Sequence, residues 1–125
     1  MSDKPLLERL QVKNGRLLAV VDAPDDIDSC LGGMDLRAEV QDADIVLVFA
    51  SNRDRFDAHL RSLSTRLLLK AFLWLAYPKL TSKLAGDLNR DVIREVAPDC
   101  GLDTVSQIAI DEDWSALRLK RVKSL

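Results

Sequence analysis

The sequence predicts an α/β domain: a small three-layer α/β/α sandwich on a mostly parallel sheet, with a C-terminal antiparallel hairpin. Three observations lead there. Short, almost wholly apolar runs recur at residues 17–21, 44–50 and 69–76, as in strands buried on both faces. Stretches with helical periodicity lie between them, which implies parallel strands joined by right-handed crossovers. Two final runs, 105–110 and 117–122, flank the acidic turn 111–115 and read as an antiparallel hairpin.

Taken in order, Asp3 caps a short helix with Pro5 in its first turn and Leu6, Leu7 and Leu10 on its apolar face. Asn14-Gly15 stops it. The strand at 17–21 is broken by Asp22-Ala23-Pro24-Asp25-Asp26. Ile27, Cys30 and Leu31 then recur at helical spacing, and Gly32-Gly33 ends that helix. A weak strand at 36–40 precedes the strong one at 44–50. Ser51-Asn52-Arg53-Asp54 resembles a capping box with Asp in place of Glu or Gln. Phe56, Leu60, Leu63 and Leu67 follow as one apolar helix face. The strand at 69–76 carries Phe72 and Trp74 and is closed by Tyr77-Pro78. A polar loop through Lys79, Thr81, Ser82, Lys83 and Gly86 leads to Asp87, read as the cap of a helix with Leu88, Val92 and Val96 inside. That helix ends near Pro98 and Gly101.

At 125 residues the chain is expected to hold one domain, 1–125. Folding at this size buries roughly two-thirds of the surface that the unfolded chain exposes. The apolar fraction of 47% and charged fraction of 30% are those of a globular protein. A net charge of −2 argues against a dedicated nucleic-acid binder, which carries a basic excess. The longest apolar run, near 71–76, is too short to span a bilayer. The opening Met1-Ser2-Asp3-Lys4-Pro5 lacks the apolar core of a signal peptide. The expectation is a cytoplasmic protein of bacterial type that avoids membranes. Cys30 and Cys100 have no neighbours at metal-ligand spacing and read as small buried apolar residues.

The order of elements resembles the class I methyltransferase fold, a Rossmann-like architecture with an antiparallel final strand. Residues 44–49, the helix after them and 71–76 look like its fourth strand, helix and fifth strand, in an abbreviated sheet lacking part of its middle. A second likeness is more specific. Tyr77-Pro78-Lys79, Ser82, residues 87–95 and the stretch 111–118 resemble a family of short bacterial proteins known only as a domain of unknown function. That likeness implies no activity. Methyltransferases place a Gly-rich loop after the first strand, where the backbone approaches the methyl donor. Here that place holds Asp22-Ala23-Pro24-Asp25-Asp26, with a fixed φ, a missing N–H and added negative charge. A GxGxxG dinucleotide motif and an Asn-Pro-Pro-Tyr-type motif are absent as well.

Candidate chemistry centres on residues 79–94, because ligands of open α/β sheets bind outside the carboxyl ends of the strands. Lys79, Thr81, Ser82 and Lys83 offer donors there, and the helix start at 87–90 adds oriented N–H groups. A small anion suits such a place; a solvated loop with an ordinary cap is the plainer reading. As cap, Asp87 would occupy the donors an anion needs. Trp114, beside Ser115 and Arg118, reads either as a contact for a ligand or partner or as a plug packing the hairpin. Arg118 can pair with Asp87 or Asp113. Asp22, Asp25, Asp26 and Asp28 could hold a hard cation, but acidic residues are ordinary at a helix start. His59 has no nucleophile beside it and reads as surface or half-buried. The basic run Arg118, Lys120, Arg121, Lys123 can touch phosphates or protect a sheet edge.

The expectation is therefore a non-catalytic, methyltransferase-like domain that binds a protein partner or a small anionic ligand. Its site residues are Lys79, Ser82, Asn89, Arg90 and Trp114, with no catalytic residue, metal or cofactor. One alternative is a small methyltransferase that holds S-adenosylmethionine through an unusual loop. Another is a purely structural interaction module. An open sheet edge leaves room for a homodimer.

Overall fold

The computed structural model describes residues 10, 12, 16–28, 37–63 and 72–121. The helix expected at 3–10, Cys30 and Leu31 with their Gly32-Gly33 stop, Leu67, residues 69–71 and Lys123 lie outside the described residues. So does the side chain of Cys100.

Strand β1 (Leu18–Val21) leads into a single helical turn, α1 (Asp25–Asp28). Strand β2 (Ile45–Phe49), helix α2 (Arg53–Leu63) and strand β3 (Phe72–Pro78) follow. Helix α3 (Arg90–Val96) runs into a 3-10 turn, Ala97–Cys100, and then strands β4 (Leu102–Ala109) and β5 (Trp114–Arg121). Gly101 closes that turn at φ 75, a left-handed value that suits glycine.

The sheet order is β1-β2-β3-β5-β4. Its four pairings are two parallel (β1·β2, β2·β3) and two antiparallel (β3·β5, β4·β5). Pairing is thus mixed rather than mostly parallel, because the last strand turns back and inserts beside β3. The hairpin extends the sheet outward from β3, as expected, and adds an antiparallel edge. Strand β5 is interior, and β4 forms the edge.

Side-chain alternation along β2 shows why its run is apolar throughout. Val46 and Val48 face one cluster with Phe56, Leu88 and Ile93. Ile45, Leu47 and Phe49 face another with Leu10, Val12, Ile27 and Trp74. Both faces of the sheet are covered, α2 and α3 contributing to the first. Trp74 buries its ring on the second face and donates its indole N–H to the Leu10 carbonyl at 3.0 Å.

Several local expectations are corrected. The weak strand at 36–40 reduces, among the described residues, to one parallel bridge between Leu18 and Arg37. A 3-10 turn, Val40–Asp42, replaces its end, since Val40 alone turns inward between exposed Glu39 and Gln41. The cap of α2 is Asn52, whose Oδ1 accepts from the Arg55 N–H at 2.9 Å, one residue beyond the expected Ser51. The cap of α3 is Asn89, which accepts from the Val92 N–H at 3.1 Å. Asp87 instead accepts from the Arg53 N–H at 2.8 Å, at the start of the other helix. Strand β3 continues through Tyr77 and Pro78, because both still pair with β5. Among the described residues, no helix is long and apolar enough to cross a membrane.

Candidate functional site

Strand β4 is antiparallel to β5, which is antiparallel to β3, so β3 and β4 run the same way. Their carboxyl ends and the start of β5 therefore meet at one edge of the sheet. The N-terminal turn of α3 and the loop after β3 close over that edge. Between them lies an open cleft of about 670 Å³. Lys79, Leu80 and Thr81 form one wall, and Asn89, Arg90 and Asp91 another. Gln107, Ile108 and Ala109 supply the third, and Tyr77 and Ser115 lie at its base.

Register explains the base. Tyr77 stands directly opposite Ser115 in the β3·β5 pairing, so the two side chains share a face. Each is only 4% exposed. Burial pushes the Tyr77 phenol above its ordinary value; Arg90, a hydrogen bond with Ser115 and Arg94 oppose that rise, while Asp91 adds to it. Arg90 reaches across the cleft, its guanidinium donating to Gln107 Oε1 at 3.3 Å, and lies 4.0 Å from the Asp91 carboxylate.

The loop after β3 is held from both sides. The Lys79 N–H donates to the Asp113 carbonyl at 2.8 Å. The Ser82 hydroxyl donates to Asp113 Oδ1 at 2.8 Å and accepts from the Leu84 N–H at 3.0 Å. Asp111 orders the facing hairpin turn by accepting from the N–H groups of Asp113 and Trp114, at 2.8 and 2.9 Å.

Of the residues singled out from sequence, Lys79, Thr81, Asn89 and Arg90 come together at the cleft. Ser82 is not in its lining and acts as a tie within the loop. Trp114 belongs to the opposite face of the sheet, edge-on to Phe49 with ring centroids 5.1 Å apart. Strand alternation is the reason: Ser115 and Trp114 must point to opposite faces. Arg118 pairs with neither Asp87 nor Asp113. Its guanidinium lies 3.8 Å from the centre of the Phe72 ring, so the basic run on β5 marks no sheet edge. The cleft also holds Tyr77, Gln107 and Ser115, which their spacing in the sequence does not bring together. Their convergence depends on the β3·β5·β4 order, which no local spacing encodes.

A second constellation lies at the end of β1. Asp22 has a left-handed backbone, φ 63, which a non-glycine residue rarely adopts. Its carboxylate accepts from an Arg55 guanidinium N–H at 2.8 Å and lies 3.2 Å from His59 Nε2. The first carboxylate of the acidic stretch is thus engaged with α2. Among the described residues, no group of three acidic, His or Cys side chains is placed to hold a metal ion.

This fold is similar to that of several methyltransferases of known structure. A SAM-dependent methyltransferase from Aquifex aeolicus matches with a TM-score of 0.63 and 10% identity, over 94% of this chain and 88% of that one. A putative type 11 methyltransferase from Sulfolobus solfataricus matches with a TM-score of 0.56 and 10% identity, over 95% and 90%. The ribosomal protein L11 methylase from Lactobacillus delbrueckii subsp. bulgaricus matches with a TM-score of 0.56 and 12% identity, over 94% and 75%. Such identities speak for the fold alone. Within that fold class, residues 8–123 match the family described as protein of unknown function, DUF3052, and the chain belongs to it. Among curated proteins, none matches the sequence.

Proposed function

We propose that this chain is a non-catalytic, methyltransferase-like domain that binds a small anionic ligand in the cleft between β3, α3 and the outer strands. The reading takes the sheet as the middle of three layers, with the cleft opening on the layer that holds α3. The observation that carries it is the convergence of Lys79 and Arg90 on one open cleft at the carboxyl edge of the sheet, the usual ligand position in open α/β folds. Both are long side chains with several donors, and Arg90 can turn from Gln107 to a stronger acceptor. Asn89 caps the start of α3 by accepting from the Val92 N–H, so the side chains of Lys79 and Arg90 would carry the anion.

The case against methyl transfer rests on the turn after β1. Asp22 takes the left-handed backbone that a glycine would supply, and its carboxylate lies against Arg55 and His59. Pro24 follows without an N–H. A second reading remains favoured by one fact: the fold neighbours are methyltransferases. On that reading S-adenosylmethionine would sit at the turn after β1, away from the cleft.

A thermal-shift titration separates the two. The panel holds phosphate, nucleotides, divalent cations, the methyl donor and its demethylated product. A ligand at about 100 times its dissociation constant adds roughly 2.7 kcal/mol. The proposal expects a shift with phosphate compounds that Lys79→Ala and Arg90→Ala both remove. A shift with the methyl donor or its product alone would favour the second reading. No shift with any compound would contradict both and leave a protein-interaction module.

A further inference from the structure

We propose that the chain pairs with a second copy of itself through the edge strand β4, joining the two sheets across a two-fold axis. The pairing holds whether or not the cleft binds an anion. It rests on a nearly uncharged strand edge and on two exposed aliphatic side chains that an antiparallel pairing brings together.

The two edges of the sheet differ. At β1, Arg37 forms a parallel bridge with Leu18, and the Ala38 N–H donates to the Leu18 carbonyl at 3.0 Å. That edge is partly covered. Among the described residues, none pairs with the outer side of β4. Its eight residues leave a row of backbone N–H and C=O groups facing outward. Proteins blunt such edges with lysine, proline or other charge. From Thr104 to Ala109 the strand has none of these, and Asp103 is its single charge. Val105 falls at a β-bulge, has no partner on β5 and is 50% exposed. A bulge also blunts an edge, but an outward valine works against that role.

The edge is complementary to itself. Two β4 strands related by a two-fold axis run antiparallel, so the carboxyl half of one lies beside the amino half of the other. Leu80, 73% exposed, stands with Gln107, Ile108 and Ala109 around the cleft and so marks the carboxyl half. Val105 lies in the amino half. The symmetry carries Leu80 of each copy toward Val105 of the partner subunit, and does so twice. Leu80, Leu84 and Val105 are the exposed large hydrophobics among the described residues, so the pairing covers two of the three. It also sets the two Asp103 carboxylates at opposite ends of the interface, where they do not repel.

Sedimentation velocity of the full chain over a concentration series tests this. One strand pair buries little area, so the expected result is a reversible dimer with a dissociation constant on the order of 10 µM. Its mass is twice the 14.0 kDa of the chain. Val105→Lys and Leu80→Lys each change an exposed side chain, so both variants should keep the far-ultraviolet circular dichroism of the unaltered chain. Each should weaken the dimer about tenfold or more, as lysine does at a strand edge. Hydrogen exchange at the β4 amides should slow with rising concentration in the unaltered chain. A chain that stays monomeric at about ten times that dissociation constant would overturn the proposal, even if a strand of another protein bound β4. A dimer that either variant leaves intact would overturn it too, by placing the contact elsewhere.

Discussion

Replacing Trp114 with alanine should cost stability rather than ligand affinity. The indole is 7% exposed and meets Phe49 edge-on at 5.1 Å, on the face of the sheet away from the cleft. Truncating a buried aromatic to alanine typically removes about 3–5 kcal/mol. The ring pair contributes about 0.5–1.5 kcal/mol of that beyond the area it buries. Set against a total stability of about 5–15 kcal/mol, the loss is large. With a urea slope of about 1–3 kcal/mol/M, the unfolding midpoint should fall by at least about 1 M. Far-ultraviolet circular dichroism during urea titration measures it, and Trp74 remains as a fluorescence reporter. A double-mutant cycle with Phe49→Leu isolates the ring pair. A stability loss below about 1 kcal/mol, together with lost anion binding, would refute the packing role and return Trp114 to the site.

Three other outcomes follow from the same geometry. Asn89→Ala should cost about 0.5–2 kcal/mol by removing the cap of α3, while Asp87→Ala should loosen the first turn of α2 instead; hydrogen exchange tells the two helices apart. Arg55→Ala should cost under about 1 kcal/mol, since both partners of the Asp22–Arg55 pair are substantially exposed, and added salt should shrink the difference. Tyr77 is the single tyrosine, so phenolate absorbance reports it alone. Its raised pKa means that the folded state holds the proton longer than the unfolded one, so stability is full below the ordinary tyrosine value of about 10 and falls as pH rises beyond it. Denaturation of Tyr77→Phe over the same alkaline range should lack that component of the decline.

Much of this fold could be read from local text. The apolar runs that became β1, β2 and β3 announced buried strands, because each strand serves both faces and no position is free to be polar. The amphipathic run that begins with Phe56 and Leu60 gave α2 for the same reason in reverse. What failed was the choice among adjacent capping residues. Ser51 and Asn52, or Asp87 and Asn89, are near-equal caps in isolation, and tertiary placement of the neighbouring helix decided between them. Sheet order was equally hidden: β5 entering between β3 and β4 placed Arg118 on Phe72 and turned Trp114 away from the cleft.

For the candidate site, Lys79, Asn89 and Arg90 were legible because they sit close together in sequence around one expected sheet edge. Tyr77, Ser115 and Gln107 were not, since they come from three different strands. The Asp22 tie to Arg55 and His59 was hidden likewise, bridging 33 and 37 residues. Alternation within β3 and β5 does determine which side chains share a face, but only once their pairing register is known.

The most direct measurement is a map of backbone amide NMR shifts during titration with phosphate and, separately, with the methyl donor. The account expects phosphate to move the amides of Lys79, Leu80 and Thr81, of Asn89, Arg90 and Asp91, and of Gln107 to Ala109. The amides of Asp22, Ala23 and Ser51 should stay still with either compound. Shifts confined to those last residues, caused by the methyl donor, would contradict the account and make the turn after β1 the functional site.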